Sequence, residues 1–311
     1  MGISLDIKRV NNAMKNSRIL AATAIAPIIW GTTYLVTSQV LPEGRPLLAA
    51  TLRALPAGLI ILAFTRTLPK GSWWWRSLVL GTLNIGAFFA FLFISAYRLP
   101  GGVSATLGAI HPLLVAVLTV AVLHEAVSRR ALTAAAVGLG GVALLVLTPD
   151  AALDTVGVLA GLAGGLSTAF GVILTKKWGR PTSLLTFTGW QLGAGGLVLA
   201  VPTLVFEGLP SSVTATNIAG YLWLAVPGGA IAYLLWFRGI LALQPTRVTM
   251  LGFLAPLVAT VLGWIVLDQT LRPLQWLGAA LIVGAVVAGA SAPRKAARIS
   301  EPTPVLEPAS T

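Results

Sequence analysis

The sequence has no cysteine, and it has few charged residues of either sign. Without thiols the chain cannot form disulfides, zinc–thiolate sites or iron–sulfur clusters. Charged residues make up 10% of the 311 positions, whereas a water-soluble protein usually carries about 25%. Because 56% of the residues are hydrophobic, the chain lacks the polar surface that water requires. The composition therefore predicts a protein whose solvent is the lipid bilayer.

Long apolar runs take up most of the chain. A bilayer core about 30 Å thick needs roughly 20 apolar residues per helix, and short polar breaks separate ten runs of this kind. We place these runs at residues 19–39, 46–64, 77–97, 102–123, 131–148, 156–174, 184–206, 217–240, 247–267 and 273–291. Only helices fit, because backbone polar groups in lipid must be satisfied within the segment. The predicted fold class is an all-α integral membrane protein with ten transmembrane helices.

Lysine and arginine are distributed unevenly between the segments that connect these spans. With the N-terminus inside, the inside segments hold 17 of the 21 Lys and Arg residues, the outside segments hold 3, and Arg53 lies within a span. Cytoplasmic loops collect Lys and Arg, so we expect both residues 1–18 and the tail 292–311 to be cytoplasmic. The composition of the tail predicts disorder. This topology explains the formal charge of +12 without a nucleic-acid partner.

Two parts of the chain resemble each other at a shift of 144 residues. Residues 107–142 align without gaps on residues 251–286. A Gly-x-x-x-Pro pair recurs in this alignment, as Gly108 with Pro112 and as Gly252 with Pro256. Proline removes a helix hydrogen bond and clashes with the carbonyl four residues earlier. We therefore expect a kink or local unwinding at both pairs, where each would act as a hinge.

Five predicted spans separate the two copies, and an odd number inserts the second copy upside down. We therefore predict two inverted five-helix repeats, residues 19–148 and 156–291. Inverted repeats are the construction of many secondary transporters, which bind substrate near the midplane between the halves. His111 departs from the repeat, because its counterpart is Ala255. A polar residue that occurs in only one of two repeats is expected at a binding site on a pseudo-symmetric scaffold.

Several motifs resemble one family of transporters. They are WGTTYLV in the first span, RLPGGVSATLGAIHPLLVAVL around the fourth and LGFLAPLVATVLGWIVLDQ in the ninth. Together with two five-helix repeats they resemble the drug/metabolite transporter superfamily, most closely its ten-helix EamA-type branch, which includes bacterial amino acid exporters. The resemblance implies a bacterial inner-membrane exporter with a central cavity between the repeats. It leaves the substrate open.

The chain departs from the pattern of that family at the ends of the repeats. The Gly-Glu pair common there is His124-Glu125 in the first copy and Asp268-Gln269 in the second. We place both pairs at membrane edges, where we expect no effect on the substrate path.

Few polar side chains lie deep within the predicted spans. Polar groups at such positions usually face the bundle interior or a cavity, and His111, Asn84 and Gln191 are our candidates for substrate binding. The alternative for each is a structural hydrogen bond between helices, which is common for amides in membranes. For Arg53 we favour a salt bridge or a link to loop carbonyls over substrate binding.

Aromatic residues within the spans complete the candidate site. An exporter of apolar or aromatic amino acids needs an aromatic-lined cavity with few polar anchors. The aromatic candidates are Trp30, Tyr34, Phe88, Phe170, Trp190, Tyr233, Trp236 and Phe253. Packing against lipid or other helices is the alternative for each of them.

No Asp or Glu lies in the core of a predicted span. This argues against the export of large organic cations, which would need a buried carboxylate. Proton coupling stays open, because His111 has a side chain that titrates near neutral pH, and facilitated diffusion is the alternative. Two histidines and no cysteine provide neither a catalytic cluster nor a metal site. We predict an exporter of amino acids or related small metabolites that works by alternating access without a cofactor, rather than an enzyme. The alternative is a channel, or an exporter of another small metabolite or drug.

Overall fold

The computed structural model describes residues 2–42, 44–99, 107–146, 154–210, 212–268 and 270–291. Within these ranges every regular element is a helix, which confirms the all-α prediction. The α-helices in chain order are α1 (Gly2–Val40), α2 (Pro46–Thr65), α3 (Trp73–Gly81), α4 (Ala87–Arg98), α5 (His111–Leu123), α6 (Arg129–Val146), α7 (Thr155–Trp178), α8 (Leu184–Pro202), α9 (Ala215–Ala225), α10 (Ala232–Ala242), α11 (Pro245–Met250), α12 (Leu254–Val266) and α13 (Pro273–Ala290).

Eight helical stretches in the described part are long and apolar enough to cross a membrane. They are Met14–Val40, Pro46–Thr65, Trp73–Ser95, Arg129–Val146, Thr155–Trp178, Leu184–Glu207, Ala215–Ala242 and Pro245–Val266. The other two predicted spans correspond to the shorter apolar helices His111–Leu123 and Pro273–Gly289. The protein is thus a multi-pass membrane protein, and the count of ten crossings stays a prediction. Residues 102–106 of the fourth predicted span and the tail 292–311 lie outside the described residues.

Departures from α-helical geometry recur at corresponding places in the two halves. The third predicted span contains a π-helix, Thr82–Gly86, between α3 and α4, and the eighth contains another, Val226–Ile231, between α9 and α10. Their first residues are 144 apart, which is the shift of the sequence repeat. A turn at residues 109–110 precedes α5, and the 3₁₀-helix Leu251–Phe253 precedes α12. The local unwinding predicted near each Gly-x-x-x-Pro pair is therefore present.

Helices of the first half pack against helices of the second half. α2 packs against α8, and α6 packs against α13, so that second spans meet and fifth spans meet. α7 packs against α4 and α5, and its counterpart α1 packs against α10 and α12. When the halves exchange places, each of these contacts maps onto itself or onto another of them. This pattern fits an internal repeat, while the inverted orientation of the halves stays a prediction.

The pair of α2 and α8 is in close contact along its length. A Cβ atom on Gly58 would lie 2.6 Å from Cα of Gly193, and a Cβ on Gly196 would lie 2.6 Å from Cα of Leu55. Small residues allow this approach of two backbones in a membrane.

The same two helices are also joined at one end. A third π-helix, Thr203–Glu207, continues α8. The carboxylate of Glu207 accepts hydrogen bonds from the backbone N–H groups of Leu47, at 2.7 Å, and Leu48, at 2.8 Å. A carboxylate in this position satisfies amides that the first turn of α2 leaves unpaired, and it is favourable near the positive end of the helix dipole.

Candidate functional site

Gly228 lies at the centre of a group of aromatic side chains. Its carbonyl oxygen accepts a hydrogen bond from Nε1 of Trp30 on α1, at 3.0 Å, and one from Nη2 of Arg53 on α2, at 3.2 Å. A carbonyl oxygen has two lone pairs, so it can serve both donors. Gly228 belongs to the second π-helix, and π-helical turns are frequent at functional sites. One backbone oxygen therefore joins three helical segments.

Arg53 brings a positive charge into this group. The residue is only 8% exposed, and its guanidinium carbon lies 5.0 Å from the ring centre of Phe89. Inserting a cation in a bilayer costs about 2.5–3.5 kcal/mol, and a cation over an aromatic face recovers about 2 kcal/mol of such a cost where water is excluded. The interpretation of Arg53 as a link to carbonyls agrees with its bond to Gly228, although this carbonyl is helical.

Three of the predicted aromatic residues come together here. The ring of Trp30 lies 5.2 Å from the rings of both Tyr233 and Trp236. Tyr233 also lies 6.4 Å from Phe89, its counterpart in the first half, in an edge-to-face arrangement. We call Trp30, Arg53, Phe89, Tyr233 and Trp236 the aromatic cluster.

Asn84 and Gln191 form a second group. Nδ2 of Asn84, in the first π-helix, donates to Oε1 of Gln191 on α8, at 2.8 Å, and to Oγ1 of Thr175 on α7, at 3.2 Å. All three residues are buried, and Gln191 is fully so. Nε2 of Gln191 has no hydrogen-bond partner among the described residues. We call Asn84, Thr175 and Gln191 the amide cluster.

The two clusters adjoin each other at Tyr233. The hydroxyl group of Tyr233 lies 3.5 Å from the backbone oxygen of Asn84, a long hydrogen bond. Gly171 on α7 makes room for the asparagine, because a Cβ atom at that position would lie 2.6 Å from Cγ of Asn84. At this point α7 can approach Asn84 closely because Gly171 has no side chain.

His111 opens α5 and faces α7, where its imidazole interacts with the backbone of Thr168. Its Nε2 atom is buried and has no hydrogen-bond partner in the described part of the chain. Thr168 lies one turn before Gly171 on the same helix. α7 thus connects the position of His111 to the amide cluster.

Other predicted site residues lie elsewhere. Nε1 of Trp190 donates to the backbone oxygen of Thr67, at 2.8 Å, and its ring packs near Trp73. Phe253 is buried in a separate core, where its ring lies against Gly138. These two aromatic residues are held by packing away from both clusters.

Two of the remaining aromatic predictions concern residues at or beyond the margin of the clusters. Phe88 is half-buried and lies 5.4 Å from Phe89, measured between ring centres. Phe170 is 38% exposed at the outer surface of α7. The side chain of Tyr34 lies outside the described residues.

The predicted hinge positions differ in their surroundings. A Cβ atom on Gly108 or Gly252 would meet no heavy atom within 4 Å, so neither glycine is required by packing. Pro112 is buried and Pro256 is half-buried. A hinge role for the four residues stays a prediction.

Among the described residues, the surroundings of the clusters contain no group suited to a metal ion. Within the described residues no three His, Cys, Asp or Glu side chains converge. The acidic residues whose side chains are described lie at the ends of helices or beyond them: Glu125, Asp154, Glu207 and Asp268. The site therefore offers amide, indole, phenol, imidazole and guanidinium groups, which bind polar organic molecules through hydrogen bonds.

The predicted substrate-binding residues did not include three members of the clusters: Phe89, Arg53 and Thr175. Thr175 falls one residue beyond the sixth predicted span, 156–174, whereas α7 continues to Trp178 and includes it. Arg53 was given a structural role, although its burial cost was the signal that marked it. The shift of 144 could have pointed to Gly228 as the counterpart of Asn84, but a π-helix leaves no clear trace in an apolar sequence.

Comparison with known proteins agrees with the repeat and the membrane fold. The model of the EamA-like transporter family matches residues 17–147 and again residues 155–288. Protein PecM of Dickeya dadantii is 50% identical over 264 residues, covering 84% of this chain and 89% of PecM. An uncharacterized inner membrane transporter of Escherichia coli K12, YedA, is 26% identical over 266 residues, covering 84% and 86%. A solved crystal structure of a protein superposes with a TM-score of 0.74 at 20% identity, over 86% of this chain and 97% of the other.

Proposed function

The chain belongs to the EamA-like transporter family, and on this premise we propose that it exports amino acids or related small metabolites. Transport would proceed by alternating access through a cavity between the two halves. The distribution of Lys and Arg supports an orientation with both termini in the cytoplasm. The likeness to an inner membrane transporter supports a bacterial inner membrane as its location.

The observation that carries this proposal is a pair of unsatisfied nitrogen atoms. Nε2 of Gln191 and Nε2 of His111 are both buried without a hydrogen-bond partner among the described residues. Leaving a buried polar atom unpaired costs about 1–3 kcal/mol, and a bound substrate would offset that cost. Nε2 of Gln191 would donate to a substrate oxygen. Nε2 of His111 would accept from a substrate N–H or O–H group, because a neutral imidazole that donates through one nitrogen accepts at the other. The amide cluster would bind a carboxylate or carbonyl group, and the adjoining aromatic cluster would receive an apolar or aromatic side chain.

Uptake of labelled amino acids into liposomes that hold the purified protein tests this function. We expect saturable uptake of apolar or aromatic amino acids, with competition by the free acid and weaker competition by its decarboxylated amine. Absence of uptake for every amino acid would contradict the substrate class and direct the search to other metabolites or drugs. Flux that does not saturate would favour a channel.

Gln191→Glu isolates the unpaired donor. The substitution keeps the Oε1 acceptor of Asn84 and replaces Nε2 with an oxygen, so a bound carboxylate would meet repulsion. We expect transport to fall at least about tenfold, since a hydrogen bond to a charged group contributes about 1.5–3 kcal/mol. Thr188→Val on the same helix is the matched control, because among the described residues the Thr188 hydroxyl donates only to the backbone oxygen of Leu184 within α8. Equal activity of the two variants would contradict the site.

His111→Ala tests the second nitrogen and the coupling to protons. We expect impaired transport with normal membrane insertion and folding, because the ring has no described partner at Nε2. If wild-type uptake responds to a pH gradient and the variant does not, His111 carries the proton. Normal kinetics in the variant would remove His111 from the site, and loss of folded protein would assign it to packing.

The four predicted hinge residues enter the same proposal. Alternating access requires helices that bend at fixed points, and Pro112 and Pro256 lie in the first turns of α5 and α12, at corresponding places of the two halves. We propose that the fourth and ninth spans bend there, near Gly108 and Gly252.

A further inference from the structure

A cavity of about 370 Å³ lies between α1 and α10, and none of its described lining residues belongs to either cluster. Its lining consists of three basic residues and two apolar ones: Met14, Lys15, Arg18, Ile19 and Arg238. None of the described residues in this lining is acidic. The cavity is therefore a concentration of positive charge with an apolar wall.

Helix geometry brings the three cations together. Lys15 and Arg18 are three residues apart on α1, so their side chains lie on the same face. α1 and α10 pack directly, and the closest approach is at Gly239, where a Cβ atom would lie 2.5 Å from Oγ1 of Thr23. This contact places Arg238, the neighbour of Gly239, opposite the basic turn of α1.

The cavity is open to the surroundings of the protein. Lys15, Arg18 and Arg238 are exposed, and Met14 is 49% exposed, while Ile19 forms the buried wall. Like charges at this spacing repel one another, so a bound anion would stabilise the arrangement. The predicted topology puts all three cations at the cytoplasmic surface, where anionic lipids attract basic residues.

An apolar stripe leads away from the cavity on both helices. Ile25 and Ile28 on α1 are 45% and 43% exposed, and Ile25 follows Arg18 by seven residues, two helical turns. Ile231 is 45% exposed and precedes Arg238 by seven residues. Because the two helices cross the bilayer in opposite directions in the predicted topology, both stripes run from the cations toward the hydrocarbon core.

We propose that this cavity binds an anionic phospholipid of the cytoplasmic leaflet. Arginine and lysine donate to the phosphodiester oxygens, and the isoleucine stripes contact the acyl chains. A free phosphate compound would use the same cations but would gain nothing from the stripes. The occupant that fits both features is the intact lipid.

The test measures how much phosphatidylglycerol the full-length protein retains. The protein is held in nanodiscs of phosphatidylcholine that contain a small fraction of phosphatidylglycerol. Retained phosphatidylglycerol is counted by native mass spectrometry after release. The triple variant K15Q/R18Q/R238Q is compared with R129Q/R130Q/K177Q, which removes the same charge from exposed residues on the same predicted side. We expect about fivefold weaker retention per cavity cation removed, the equivalent of about 1 kcal/mol each, and a small change in the control.

Three outcomes would overturn the proposal. Equal losses in the two triple variants would mean general attraction to an anionic bilayer. Glycerol 3-phosphate in solution that displaces the lipid at similar concentration would assign the cavity to soluble anions. Equal retention of phosphatidylcholine would show that the charge has no role. Gel filtration and helical circular dichroism of each variant separate these results from misfolding, and the single variant R238Q provides a milder test with about a fivefold loss.

Discussion

Asn84 and Gly228 occupy corresponding positions in the two halves, each within a π-helix, yet they supply different chemistry. Asn84 extends a side-chain amide to α7 and α8. Gly228 has no side chain, and its backbone oxygen receives Trp30 from α1 and Arg53 from α2. The same irregular backbone thus presents a side chain in one half and a bare carbonyl in the other. A pseudo-symmetric scaffold can therefore hold an asymmetric site without a change in its frame.

The contact of the second π-helix with α2 depends on Gly229, the residue after Gly228. A Cβ atom there would overlap the backbone oxygen of Arg53, and a backbone cannot move aside as a side chain can. We expect Gly229→Ala to separate α2 from the second π-helix and to lower the free energy of unfolding by about 3 kcal/mol, as overpacking does. The yield of folded protein in detergent and its thermal midpoint measure this loss.

The neighbouring residue provides the control. A Cβ on Gly228 would meet its nearest atom at 3.6 Å and Nε of Arg53 at 3.7 Å, which are ordinary contacts. Gly228→Ala should therefore fold almost as well as the wild type. Similar losses in both variants would mean that helix flexibility, rather than the contact with Arg53, requires the glycine pair.

A substitution on α7 can displace the side chain of Asn84. Gly171→Ala would push a methyl group against the Asn84 amide, and the asparagine would lose its bonds to Gln191 and Thr175. We expect a loss of about 1–3 kcal/mol in stability together with reduced transport, both measured in the purified protein. Gly165→Ala on the same helix is the control, because its Cβ would lie 3.6 Å from Leu114. Full activity of Gly171→Ala would show that the amide cluster is dispensable for transport.

The smallest expected effect concerns one hydrogen bond of the amide cluster. Thr175→Val keeps the shape of the side chain and removes the acceptor at 3.2 Å from Asn84, while the shorter bond to Gln191 remains. We expect a loss of about 1 kcal/mol in the free energy of unfolding. Thr119→Val, which removes only a bond within α5, is the matched control. A Thr175→Val variant as stable as this control would mean that the Asn84–Thr175 bond adds nothing.

The sequence was informative about helices because the bilayer fixes their length and polarity. It was less informative about which face of a helix is buried, as the burial of Tyr233 and the exposure of Phe170 show. Both are aromatic residues within apolar spans, yet Tyr233 is 4% exposed and Phe170 is 38% exposed. A lipid-facing position and a core position are both apolar in a membrane protein, so hydropathy does not distinguish them.

The amide cluster was predicted residue by residue but not as a unit. Polarity alone marked Asn84 and Gln191, since a buried amide requires a partner. Their contact depends on the π-helix and on the packing of the third span against α7 and α8. A π-helix differs from an α-helix by one residue per hydrogen-bonded turn, and this difference leaves no pattern in a run of apolar residues.

The close packing of α2 on α8 determines where the bundle can move. At Gly58 and Gly196 backbone meets backbone, so no flexible side chain is available to accommodate sliding, and Glu207 fixes the pair at one end. Motion that parted these helices would lose all of those contacts together. Under the proposed alternating access, this pair would form a stationary axis, and the remaining helices would tilt around it.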